Sequence, residues 1–133
     1  MSTFVPKAHT PFQWQGVRPE ADKRLKRLAK RLKPKGVELR PESYGWSVIQ
    51  ALLSRSDRRL APVIAAVRGS QESLGGWKKA YRAARSDGVP RASSAGVPLP
   101  RPPAWEEVVH HTWADDHILP WCHLDGPLPS DTL

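Results

Sequence analysis

The sequence predicts a mainly α-helical fold, and three observations carry the prediction. Between Trp46 and Tyr81 the apolar residues recur at helical spacing: Trp46, Ile49, Leu52 and Leu53, then Leu60, Val63, Ile64 and Val67. A polar break, Ser54-Arg55-Ser56-Asp57, separates the two stripes, as the turn of a short antiparallel helix pair would. A second amphipathic pattern, Glu20 to Lys33, stands N-terminal to that pair. The remaining segments are basic, proline-rich or acidic.

The chain has 133 residues, enough for one domain, and a net charge of +8. The charge is unevenly placed. The first 103 residues carry +14, and the segment from Ala104 to Leu133 carries −6 with no Lys or Arg. A basic part of this kind binds an external polyanion or is partly neutralised by the acidic tail folding back. Cys122 is the single cysteine, which excludes an intramolecular disulfide. The stretch MSTFVPKAHTPFQWQG lacks the apolar run of a signal peptide, and no run of about 18 apolar residues exists to span a membrane. These features suit a cytoplasmic chain.

Taken in order, Thr3 to Gly16 is an extended arm, because Pro6 and Pro11 exclude a regular helix. His9, Phe12, Gln13 and Trp14 are its contact groups. Glu20 to Lys33 is a helix, opened by Pro19, Glu20 and Asp22 and stopped by Pro34 and Gly36. One face is a narrow apolar stripe of Ala21, Leu25, Leu28, Ala29 and Leu32. The other carries Lys23, Arg24, Arg27, Lys30 and Arg31, a surface suited to nucleic-acid phosphates or to solvent. Gly36 to Arg40 alternates apolar and polar, as an edge strand does, and implies a sheet to join.

Ser43 is the expected N-cap of the first helix of the pair, and Ser56 or Asp57 that of the second. Pro62 marks the first turns of that second helix. Its residues, LAPVIAAVRG, are nearly all apolar, which argues against a DNA-reading helix and for a packing one. Arg55, Arg58 and Arg59 cluster at the turn and either grip an anion or pair with Asp57 or the acidic tail. Gly69 ends the second helix, Gly75-Gly76 forms a corner, and Trp77 to Ala84 is a third helix with Trp77 and Tyr81 as core anchors. Ser86 to Pro103 is a flexible Pro-, Ser- and Gly-rich linker. Trp105 to Trp113 holds one short helix, and Ile118 to Pro127 is a docking loop. The organisation expected is therefore an arm, helix and strand (1–41), a helical unit (42–85), a linker (86–103) and an acidic docking tail (104–133).

Chemistry-bearing residues are sparse. His110, His111, Asp115, Asp116, His117, Cys122 and His123 are the metal-ligand types of the tail, with His117, Cys122 and His123 the candidates among them, but no pair has the Cys-x2-Cys or His-x3-His spacing of zinc sites. There is no Gly-rich phosphate loop and no Ser-His-Asp order, so catalysis by this chain alone is not expected.

Four stretches, FVPKAHTPFQW, RSDRRLAPVI, GGWKKAY and ILPWCHLDGPLP, occur in that order. Together they resemble the C-terminal part of a family of radical S-adenosylmethionine (radical-SAM) proteins, whose members often carry a cobalamin-binding-like domain ahead of the barrel. The resemblance runs from Thr3 to Pro129. It implies that Phe4 to Trp14 ends a late barrel strand, with Lys7, His9, Thr10, Phe12 and Gln13 near the substrate mouth. It also implies that the basic helix and Val37–Leu39 are the barrel's next helix and strand, followed by a helical tail domain. Ile118 to Asp125 is similar to the family's Leu-Pro-Trp-Asp-His-Ile-Asp element, with Cys122 in place of its first Asp. The family's [4Fe-4S] cluster and S-adenosylmethionine site rest on a Cys-x3-Cys-x2-Cys motif that this sequence lacks. The expectation is a C-terminal fragment or split part of a radical-SAM enzyme, partnered by the barrel of the same or an adjacent chain. A small nucleic-acid-binding or protein-interaction module is the alternative.

Overall fold

The computed structural model describes residues 9, 10, 12–40, 42–68, 72–86, 96 and 98–124. Over these residues the protein is mainly helical. Its elements are α1 (Pro19–Leu32), a 3-10 turn (Lys33–Lys35), α2 (Tyr44–Arg55), a 3-10 turn (Arg58–Leu60), α3 (Ala61–Val67), α4 (Leu74–Arg85) and α5 (Trp105–Val109). Helix α1 starts on a proline, carries Glu20 and Asp22 in its first turn and Lys30 and Arg31 in its last. Each charge therefore complements the end of the helix dipole it sits on. Gly36, at φ 73°, closes the segment by donating its N–H to the Lys33 carbonyl. That left-handed conformation is one that glycine adopts at little cost.

The core gathers residues from four helices and from the arm. Val48, Ile49, Ala51 and Leu52 of α2 meet Val63 and Val67 of α3, Trp77 and Tyr81 of α4, Val108 and Val109 of α5, and Val17. Tyr81 and Trp105 lie edge to face, 5.3 Å between centroids, as their ring quadrupoles favour. A smaller cluster of Trp113, Leu119 and Trp121, with Trp14 against it, covers the end of α2.

Several expectations are corrected. The packing unit is not an α2–α3 hairpin: α3 packs on α4, and α2 on α5 and α4. The buried face of α2 is turned from the one expected. Trp46 and Leu53 are about half exposed, as is Ile64 of α3, while Ser47, Val48 and Arg55 are buried. The true stripe is wider because α2 is sandwiched between two partners. The segment expected as an edge strand, Gly36 to Arg40, is irregular, since the described residues offer no strand to pair with it. Gly75-Gly76 is not a corner; both glycines lie in the first turn of α4, where Ser73 caps the helix by accepting from the Gly76 N–H. Ser43 does occupy the N-cap of α2, but without a side-chain capping bond. The end of the expected linker is packed: Leu99 and Pro102 are buried, and Pro103 accepts a hydrogen bond from the Tyr81 hydroxyl. Gly69, residues 87–95 and the stretch from Asp125 onward lie outside the described residues.

Leu52 is fully buried and its neighbour Leu53 is 46% exposed. Leu52→Ala is therefore expected to cost roughly 2–5 kcal/mol by denaturant unfolding. Leu53→Ala is expected to cost less than about 1 kcal/mol. Equal losses would contradict the orientation of α2.

Candidate functional site

The arm and the tail meet at the C-terminal end of α2. The arm turns at Thr10 to Gln13, and then runs back along α5 with the Val17 N–H donating to the Val109 carbonyl at 2.8 Å. Gly16 makes the approach possible, because a β-carbon there would run into the His110 carbonyl and lie 2.7 Å from the His111 oxygen. Further along, the Trp113 N–H donates to the Trp14 carbonyl at 2.9 Å. The Gln13 side-chain oxygen accepts from the Trp121 indole N–H at 3.0 Å and from the His9 N–H at 3.1 Å. Gln13 is thus a buried strut between arm and tail.

Arg55, the last residue of α2, reaches into this junction and is 2% exposed. Its Nη1 donates to the His111 carbonyl at 2.9 Å, and Nη2 makes a long 3.5 Å contact to the Trp14 carbonyl. The guanidinium lies 3.7 Å above the Trp113 ring, a cation–π contact in a desolvated setting. Nε has no partner, and no carboxylate pairs with Arg55 among the described residues. Burial pushes its pKa down to about 10, because the charged form loses hydration.

A cavity of about 440 Å³ opens beside it, lined by Arg55, Leu60, Tyr81, Trp113, His117 and Leu119 among others. His117 stacks on Trp113 at 4.4 Å. Tyr81 donates its hydroxyl to the Pro103 carbonyl at 3.1 Å, and burial pushes its pKa up to about 12. Asp57 and Arg59 form a closed pair on the rim, with Arg59 Nε 2.9 Å from both carboxylate oxygens. Burial acts to raise the Asp57 pKa, and the bonds from Arg59 outweigh it, leaving the carboxyl below its ordinary range. The same pairing raises Arg59.

The three arginines that cluster at the turn are therefore separated in role. Arg55 is buried against carbonyls and an indole, Arg59 is neutralised by Asp57, and Arg58 is exposed. Of the arm residues, Phe12 is 45% exposed, Gln13 is spent internally, and Lys7 lies outside the described residues. Cys122 and His123 are exposed, and the described residues contain no group of three His, Cys, Asp or Glu able to hold a metal ion. Trp113 and Pro103 were not legible as site residues, since each enters through a contact with a distant helix. Gly16 was the available signal: a glycine between Trp14 and Val17 permits the close backbone approach.

The four stretches quoted above converge here. RSDRRLAPVI supplies Arg55 and Leu60, GGWKKAY supplies Tyr81, and ILPWCHL supplies Leu119 and Trp121. The arm supplies Gln13 and the Trp14 carbonyl. No family model, curated protein or solved structure matches the chain. No helix among the described residues is long and apolar enough to cross a membrane.

Two outcomes follow from this geometry. Arg55→Met leaves the His111 and Trp14 carbonyls without their donor and is expected to cost about 1–3 kcal/mol in denaturant unfolding. No loss would contradict the anchoring role. In Tyr44→Phe, the remaining tyrosine is expected to ionise at about 12 in an absorbance titration, and not at its ordinary 10. Because the folded-state value lies above the unfolded one, this group's contribution is complete below pH 10 and is lost as the pH rises toward 12. Stability measured across that window is expected to fall more steeply in the parent than in Tyr81→Phe.

Proposed function

We propose that this chain is the C-terminal part of a radical-SAM iron–sulfur protein, completing the barrel and covering its substrate mouth without catalysing alone. The four ordered stretches support the family, and their meeting at one site accounts for their occurring together. The observation that carries the reading is the state of α1. No residue of Pro19–Leu32 is buried, although the helix has a strongly amphipathic sequence. Leu28 is 38% exposed, and Val37, just beyond, is 49% exposed. An amphipathic helix gains its stability by laying its apolar stripe on a partner. A barrel sheet supplies that partner: α1 becomes an outer helix with its basic face to solvent, and Val37–Leu39 gains a strand to join.

The residues present do not fit the family's cluster. A [4Fe-4S] cluster is held by Cys thiolates, and Cys122 is the single cysteine. Cluster and S-adenosylmethionine accordingly belong to the partner barrel. The test is co-expression of the chain with a tagged barrel chain that carries Cys-x3-Cys-x2-Cys. A stable complex is expected, with visible cluster absorption in the complex and none in the chain alone. Leu25→Asp with Leu28→Asp is expected to weaken the complex at least about tenfold, a loss of ~1.4 kcal/mol or more. A chain that binds a cluster and cleaves S-adenosylmethionine by itself would overturn the reading.

A second reading has its own observation. Lys23, Arg24, Arg27, Lys30 and Arg31 are all exposed along α1, and none of them forms an ion pair among the described residues; Lys26 pairs with Asp22. This face suits nucleic-acid phosphates. Five such contacts are expected to give a slope of about −4.5 in log K against log salt on duplex DNA. Absence of binding at low salt would remove the reading.

A further inference from the structure

We propose that the small cavity between the C-terminal half of α4 and Trp105 is a binding site for a phosphate dianion, free or as the end group of a small monoester. The site is independent of any barrel partner. Lys78, Arg82 and Arg85 stand at i, i+4 and i+7 on α4 and so share one face. Among the described residues no side chain of the three has an ion pair or a hydrogen bond. Like charges at this spacing on a helix repel one another, and an anion between them removes that cost.

The three cations line a cavity of about 170 Å³ with Tyr81, Trp105 and Glu106. The Lys78 ammonium lies 5.6 Å from the centre of the Trp105 ring. Arg85 stands near enough to Tyr81 for its charge to work against the burial that raises the hydroxyl's pKa. The edge-to-face pair of Tyr81 and Trp105 therefore has a cation near each ring. The donors open to a ligand are terminal atoms. Of Arg85 only Nε is sealed from solvent, so Nη1 and Nη2 remain accessible, as does the Lys78 ammonium, and Arg82 is exposed. The Trp105 indole N–H is sealed and unpartnered as well. That N–H and Arg85 Nε–H touch no ligand, but their unanswered dipoles add to the positive potential of the cavity wall.

Size and charge select the ligand. The cavity is smaller than the roughly 300–1,000 Å³ of organic-ligand pockets, which suits a small ion. Three cations give +3 and Glu106 gives −1, leaving +2, which a dianion balances and a monoanion does not. Arginine and lysine N–H groups hold phosphate oxygens through charge-assisted hydrogen bonds.

The test uses the full chain at about pH 8, where a phosphate monoester is dianionic. Inorganic phosphate and ethyl phosphate are the probes and acetate is the monoanion, all at one ionic strength held with sodium chloride. The readout is the Trp105 indole N–H resonance, assigned by its loss in Trp105→Phe, together with thermal stability. Inorganic phosphate is expected to shift the resonance saturably and to raise Tm with concentration. The same response to ethyl phosphate identifies an ester end group as the ligand, and its absence identifies the free ion. Acetate is expected to do neither. Lys78→Gln with Arg82→Gln is expected to weaken phosphate binding at least about tenfold, and neither residue belongs to the core. Lys33→Gln with Lys35→Gln removes the same charge from exposed positions after α1 and is expected to leave phosphate affinity unchanged. Equal responses to acetate and phosphate, equal losses in the two double variants, or no saturable shift up to about 10 mM would each overturn the assignment.

Discussion

The structure depends on one buried cation. Arg55 ends α2 inside the junction of arm and tail, where its guanidinium bonds the His111 carbonyl, approaches the Trp14 carbonyl and caps the Trp113 ring. Among the described residues, neither those of the arm nor those after α5 have regular structure to hold them. Their order comes from this side chain, from Gln13 between arm and tail, and from the backbone bonds that Gly16 permits. The cost of burying an unpaired charge is offset in part by the carbonyls and the indole. Nε is left without a partner.

Helix α1 is the counterpoint. Its dipole is well matched at both ends and its sequence is amphipathic, yet none of its residues is buried. Elsewhere in the described chain the helices bury more of themselves: α2 is packed on two sides, and α4 buries Trp77, Tyr81 and Ala84. The contrast places the unmet packing demand at residues 19–39, next to a self-contained helical core.

Much of the fold was legible. The spacing from Glu20 to Lys33 and from Trp77 to Ala84 reads as helix, and both are helical. Trp77 and Tyr81 are core residues, as their four-residue separation suggests. What failed did so for physical reasons. Trp46 and Leu53 look like core by hydrophobicity, but α2 takes its inward face from Val48, Leu52, Ser47, whose hydroxyl donates to the Ser43 carbonyl, and Arg55, which is satisfied in part by the His111 carbonyl. Gly75-Gly76 reads as a break, but Ser73 caps a helix that includes both. Gly36 to Arg40 has strand alternation with no strand beside it among the described residues. Of the site, Arg55 was visible as a cation at a turn, but its burial was not, since burial is set by Trp14, His111 and Trp113 from both ends of the chain.

The most direct measurement of the central claim, the proposal that residues 19–39 await a packing partner, is amide hydrogen exchange on the isolated chain and on the chain mixed with the radical-SAM barrel proposed as its partner. In the isolated chain, α1 amides are expected to exchange far faster than those of α2, because helix without tertiary burial opens locally. In the complex they are expected to become as protected as α2. Protection of α1 equal to that of α2 in the isolated, monomeric chain would contradict the account.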